Sequence, residues 1–382
     1  MLEKIKTLRP STFLLGVVFV LNIFVVCAYI FVNVESYMYE SDAKVYYLAS
    51  KTLLTGNIRQ IYNTDFQTAA QQNYFNDGRD TLLFINTPVS IFLFAPLSIF
   101  DYPTYYKVLL LLNSTLFLLA LYTLYRNLQL NFAYTFVFNI FLVIFLAFFQ
   151  NQLSVFIFFL YTLIIVNLGK SPWLAGILSG FLFLKPQHLL LVPFALVLTK
   201  KKVPFIISVV VTIVSLVFIN YWIYGFDVYN DYFKFTLYGR ELSLVQEEKY
   251  QSFNIFSFNK VTDVWFGYDI SRVGTYALQI FLLTCSLIWL YKKGLTKLTL
   301  SHTVLVVLFL NLHTKVPDLL PVIIPVSLLF SMINWRRFYL HRYFYYSVIL
   351  VVSPMFYITK SYYIGASLCL AITYLLLVEK QN

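Results

Sequence analysis

Long, unbroken apolar runs decide what this chain can become. They occupy residues 11–32, 105–125, 132–149, 153–168, 172–184, 189–199, 203–224, 271–291, 300–312, 317–333, 343–357 and 361–378. Continuous runs of this kind do not have the in-and-out alternation of barrel strands, so helices are required. Of the 382 residues 60% are hydrophobic and only 12% are charged, more apolar surface than a soluble domain needs. The expectation is therefore an all-α, polytopic membrane protein, folded as a single membrane-embedded domain over residues 1–382 with no soluble appendage and no internal repeat.

A formal net charge of +11 would suggest nucleic acid in a soluble protein. Here the basic residues gather at the ends of the runs, where they report topology and contact with anionic lipids, so membrane lipids and not nucleic acid are the expected partners. Cys27, Cys285 and Cys369 lie inside apolar runs and read as small apolar residues, not as a disulfide or metal set. Residues 11–32 are too long for a signal-peptide core and lack a small-residue cleavage site after them, so they are expected to stay as an anchor.

Topology follows from placing Lys4, Lys6 and Arg9 in the cytoplasm. If residues 82–100 dip in without crossing, then Arg126, Lys170, Lys200 to Lys202, Lys292 to Lys297 and Arg336 to Arg342 all fall inside. The chain then makes about twelve crossings of a cytoplasmic membrane. A rival topology lets 82–100 cross and fuses 172–199 into one kinked span, which sends Arg126 and Lys170 outside. Two loops stand on the outer face in the first topology, residues 33–81 and 225–269.

Candidate chemistry concentrates at the outer loops and helix junctions. In the first loop Ser41 can cap an amphipathic interfacial helix whose apolar positions are Val45, Leu48, Ala49 and Leu53, and Gly56 ends it. Asp42 stands in its first turn, where the helix dipole favours an ionised carboxylate, and is the candidate general base; the alternative is a solvated acid paired with Lys44 or Lys51. Residues 64–75 form a second amphipathic segment. Asn151 and Gln152, between two runs, can bind hydroxyls or simply end a helix. Lys185, a cation between two apolar runs, needs a partner such as phosphate, unless it snorkels to the interface. His188 reads as structural. His313 and Lys315 precede Asp318 at a third junction and suit a phosphate leaving group. Catalytic zinc is not expected from a chain with only four histidines, and no other cofactor is expected. Glycine-rich phosphate loops and nucleophile elbows are absent from the sequence, which argues against a nucleotide-bound donor.

These residues in order resemble a known family. An acid after the first run, then Tyr46, Ala49, Leu53-Leu54, Gly56 and Ile61-Tyr62, is similar to the first outer loop of glycosyltransferase family 87, membrane transferases of the GT-C class. The resemblance continues through Pro88, Pro96-Leu97, Asn113, Asn151-Gln152, Gly176, Gly180, Lys185-Pro186, Gln251-Ser252 and His313 to Pro321. It departs at Asn86-Thr87-Pro88, where members often carry Tyr-Pro-Pro, and in the stretch from His313 to Asp318, which lacks a second histidine.

The resemblance implies a sugar, mannose in the first instance, moved with inversion from a polyprenyl-phosphate donor to a hydroxyl of a glycolipid or glycan acceptor on the extracytoplasmic side. Asp42 matches the family's general base. Lys185, His313 and Lys315 are then the candidates for the donor phosphate, and Asn151, Gln152, Asn254 and Asp318 for sugar or acceptor. A flippase for lipid-linked sugars, or a polymerase or ligase acting on polyprenyl-diphosphate glycans, remain as alternatives.

Overall fold

A computed structural model of the chain describes residue 32 and residues 38–75, 81–128, 147–238, 268–311 and 316–332. Expectations placed on 1–31, 33–37, 76–80, 129–146, 239–267, 312–315 and 333–382 lie outside the described residues. Among them are the first and the last two apolar runs, His313, Lys315 and Asn254.

Every described element is helical. In order they are α1 (Ala43–Leu54), α2 (Thr64–Phe75), α3 (Ile91–Phe94), α4 (Tyr102–Leu128), α5 (Ser154–Asn167), α6 (Pro172–Gly180), α7 (Leu191–Leu198), α8 (Lys202–Tyr224), α9 (Asp227–Tyr238), α10 (Tyr268–Lys293), α11 (Lys297–Leu310) and α12 (Ile323–Phe330). Short 3₁₀ segments join several of them, notably Phe181–Leu184, Pro186–Leu190 and Val316–Val322. Among the described residues two helices, α4 and α8, are long and apolar enough to cross a membrane. Only 22% of the apolar window of α8 is buried, so it is not the core helix of a soluble protein. Val210, Val211, Val214 and Phe218 stand exposed along it and Trp222 at its end, an apolar face with an aromatic rim of the kind lipid accepts.

The run 172–199 is not one span. It doubles back at Lys185, whose backbone (φ −135°, ψ 84°) breaks the chain between two helical arms. Pro186 enforces the break, because it has no N–H to give and disfavours helix at the residue before it. The return arm ends beside the start of the outgoing one, where Thr199 Oγ1 donates to the Leu168 carbonyl at 3.2 Å. At the same end Lys170 Nζ donates to Asn127 Oδ1 at 2.7 Å, and Lys202 Nζ lies 5.2 Å from the Tyr291 ring centroid. Arg126, Lys170, the run Lys200 to Lys202, and Lys292 with Lys293 therefore collect at one end of the molecule. The rival topology, which needs Lys170 and Lys200 on opposite sides, does not describe this fold.

Close packing holds the outgoing arm in place. Gly176 and Gly180 face α8 so tightly that a Cβ at Gly176 would lie 1.9 Å from Ser208 Oγ and 2.4 Å from the Phe205 carbonyl oxygen. At Gly180 it would lie 2.5 Å from Thr212 Cβ. Small residues four apart let two helix backbones meet where apolar surroundings supply no other drive to associate.

The two outer-loop expectations fare differently. The second amphipathic segment appears as α2 over Thr64–Phe75. The first appears as α1, but Ala43 to Ser50 and Thr52 are all buried, so the helix is built into the molecule instead of resting on a surface. Tyr47, for example, packs its ring against Tyr74, Tyr102 and Tyr105, and its hydroxyl reaches the Phe100 carbonyl at 3.1 Å. Residues 82–100, left ambiguous by hydropathy, form broken turns at Pro88–Ser90, Ile91–Phe94 and Ala95–Ile99. They carry no continuous helix of spanning length and pack beside α1.

Candidate active site

Opposite the basic end, residues far apart in sequence form one polar string inside a mainly apolar interior. It starts at Asp42, the residue before α1. Ser41 makes the local turn, its Oγ donating to the Met38 carbonyl at 3.1 Å and accepting from the Ala43 N–H at 3.2 Å. The Asp42 side chain makes no capping bond to its own helix. Its Oδ2 instead accepts a hydrogen bond from Gln152 Nε2. Lys51, one of the two bases weighed as a partner for Asp42, lies over the Tyr47 ring at 5.4 Å.

Gln152 is delivered by an unusual turn. Asn151 has φ 49°, a left-handed conformation that Asn tolerates better than most residues. Its side chain makes two hydrogen bonds to protein: Nδ2 donates to the Tyr106 carbonyl at 2.9 Å, and Oδ1 accepts from Asn113 Nδ2 at 2.7 Å. Asn151 thus anchors the turn to α4, and Gln152 emerges at the start of α5. The Gln152 amide uses its second N–H on Gln150 Oε1 at 2.8 Å, and its Oε1 lies 3.1 Å from Ser154 Oγ.

Ser154 carries the string onward, with its Oγ 2.6 Å from Asp318 Oδ1. One hydroxyl has one proton, so it donates either to Gln152 or to Asp318 at any moment. The carboxylate is nearer and charged, and is the stronger acceptor. Asp318 comes from the Val316–Val322 segment and forms an ion pair with Lys185, whose side chain is only 10% exposed. A lone cation at the break would be costly to bury; the carboxylate compensates it. Asp42, Gln152, Ser154, Asp318 and Lys185 are thereby joined, although they span nearly three hundred positions of sequence.

Two further side chains frame this string. Tyr46, one turn into α1, stacks on Phe94 with ring centroids 4.2 Å apart, and its hydroxyl lies 3.5 Å from Asn86 Nδ2. Burial pushes its pKa well up from the ordinary value, and the negative charge of Asp42 adds to that, so Tyr46 stays protonated beside the carboxylate. His188 is fully buried one 3₁₀ turn beyond Lys185, with Nδ1 3.1 Å from the Tyr161 hydroxyl.

Of the residues singled out in the sequence, Asp42, Asn151, Gln152, Lys185 and Asp318 meet here, while His313, Lys315 and Asn254 lie outside the described residues. Ser154 was not singled out. Its signal is a hydroxyl two positions after Gln152, at the first position of a mainly apolar helix. His188, which the sequence marks only as structural, lies beside Tyr161.

A sequence profile of glycosyltransferase family 87 matches residues 84–314, more than half of the chain. The match takes in Asn151, Gln152, Ser154, Lys185 and His188, and leaves Asp42 and Asp318 on either side of it. No curated protein and no solved structure matches the chain. With that profile running through the centre of the polar string, the chain belongs to glycosyltransferase family 87, a membrane-associated family of sugar transferases.

Proposed function

We propose that this glycosyltransferase moves a sugar, mannose in the first instance, from a polyprenyl-phosphate donor to an acceptor hydroxyl, with inversion, on the extracytoplasmic side of the cytoplasmic membrane. The observation that carries the reading is the string itself. A carboxylate at one end and a buried cation at the other are what transfer from a phosphate-linked sugar requires. The acceptor hydroxyl gives its proton to Asp42 and attacks the anomeric carbon. The bond from that carbon to the phosphate oxygen breaks, and its electron pair leaves on the lipid phosphate beside Lys185. Phosphate is a good enough leaving group to need no general acid, whereas a poor nucleophile such as a hydroxyl gains from a base.

Gln152 serves as the positioning residue for Asp42 in this reading, and Asp318 holds Lys185 charged and in place until donor arrives. The apolar flanks of α4 and α8 offer a long prenyl chain the surroundings it needs. The gathering of Arg126, Lys170, Lys200 to Lys202, Lys292 and Lys293 at the far end favours that end as cytoplasmic, which leaves the string extracytoplasmic.

Membranes containing the protein, given radiolabelled polyprenyl-phosphate mannose and the host's native glycans, are expected to transfer label. A panel that adds polyprenyl-diphosphate donors separates the classes. Preference for the diphosphate would overturn the monophosphate reading in favour of a polymerase or ligase. Bound donor with no sugar transferred to any acceptor would instead point to a flippase.

A further inference from the structure

We infer that His188 is a second phosphate-binding group: its Nε2–H is a donor for an oxygen of the lipid phosphate, acting beside Lys185. The inference rests on the donor class proposed above and deepens it. His188 lies in the 3₁₀ segment Pro186–Leu190, and Lys185 is the residue directly ahead of that segment. The His188 N–H donates to the Lys185 carbonyl at 3.0 Å, which fixes the two residues together. Both Asp318 and Lys185 act electrostatically on the imidazole, so the ring belongs to the same charged cluster.

The tautomer follows from counting partners. Tyr161 is fully buried and its hydroxyl meets Nδ1 of His188 at 3.1 Å, with the rings edge to face at 5.6 Å. If Tyr161 donates, Nδ1 accepts and the ring proton sits on Nε2, which leaves one group unsatisfied. If Nδ1 donates, the tyrosine proton and the Nε2 lone pair are both stranded. The first arrangement strands fewer groups, and Nε2 is a buried atom without a hydrogen-bond partner among the described residues.

An unsatisfied buried donor next to an ion pair is a cost that a phosphate oxygen removes. Lys185 already shares its charge with Asp318, so one ammonium is a weak anchor for a phosphate; a second, neutral donor adds direction without adding charge that would have to be buried. The Tyr161 hydroxyl holds the imidazole in the required tautomer, which makes Tyr161 a positioning residue.

The test compares binding of undecaprenyl phosphate with binding of undecaprenol, the same chain without phosphate, to the purified full-length protein. Wild type is expected to prefer the phosphate. His188→Phe keeps the ring shape and removes the donor, so its preference should fall about ten- to a hundredfold, the range for a hydrogen bond to a charged group, with affinity for the alcohol unchanged. His188→Gln, which returns an N–H near the same place, should recover most of it. Displacement of the lipid by inorganic phosphate at equal concentration would overturn the lipid headgroup as the ligand. An unchanged phosphate preference in His188→Phe, or an equal loss for both lipids, would make His188 a packing residue. A wild type with no preference for phosphate would sink the donor reading itself, a result distinct from the other two.

Discussion

Ser154 has one proton and two acceptors, Asp318 Oδ1 at 2.6 Å and Gln152 Oε1 at 3.1 Å. Under the proposed function, a donor phosphate that takes up Lys185 would leave Asp318 without its cation and a still better acceptor for that hydroxyl. Ser154 would then tether Asp318 while the ion pair opens. Ser154→Ala is expected to lower kcat roughly tenfold, as loss of a charge-assisted hydrogen bond does, and Ser154→Thr to retain most activity, read from initial rates at matched protein level. Lys185→Met leaves the Asp318 carboxylate buried without its counterion and should cost about 3–5 kcal/mol. Adding Asp318→Leu should restore thermal stability in detergent without restoring transfer. Recovery of transfer in the double variant would contradict a role for Lys185 at the phosphate. At this scale the sequence was legible where a charge had to be explained: Asp42 in a helix's first turn and Lys185 between apolar runs both stood out. Asn151 did not reveal its left-handed backbone, since only the contacts with Asn113 and Tyr106 show why an amide is needed there.

Between α6 and α8 the decisive quantity is backbone separation. Gly176→Ala would drive a Cβ into the Phe205 carbonyl oxygen, which cannot rotate aside as the Ser208 hydroxyl can. The variant is expected to fold poorly and to lose transfer, because α6 carries the chain to the break at Lys185. Gly56→Ala provides the contrast. Its φ is 78° but nothing lies within 4 Å of the added Cβ, so the cost is about 1 kcal/mol of backbone strain and transfer should survive. Thermal unfolding of the two variants, alongside activity, checks the pair; equal behaviour would contradict the packing account. Helix existence was readable from apolar runs, and α2 coincides with its expected segment. The burial of α1 is not readable, because period-3.6 patterning records one apolar face while Tyr102 and Tyr105 of α4 cover α1 at Tyr47.

Across the whole molecule, the hairpin at Lys185 makes polarity testable. Run lengths alone leave 172–199 as one long span or two short ones; the Thr199 to Leu168 contact, which no periodicity encodes, shows two arms that double back and not one continuous span. In a background with the native cysteines replaced, Asn57→Cys is expected to react with a membrane-impermeant thiol reagent in intact cells. Lys170→Cys and Lys201→Cys should react only after lysis. Labelling of Lys170→Cys alone among those two would contradict the shared basic end. The central claim is that the polar string is a transfer site whose base is Asp42, and one comparison tests it most directly. Transfer of label from polyprenyl-phosphate mannose is measured for wild type and Asp42→Asn at matched expression. Loss of at least about a hundredfold in the variant, the scale of general-base catalysis, is the predicted result. Equal transfer by both proteins would make Asp42 a bystander and contradict the account.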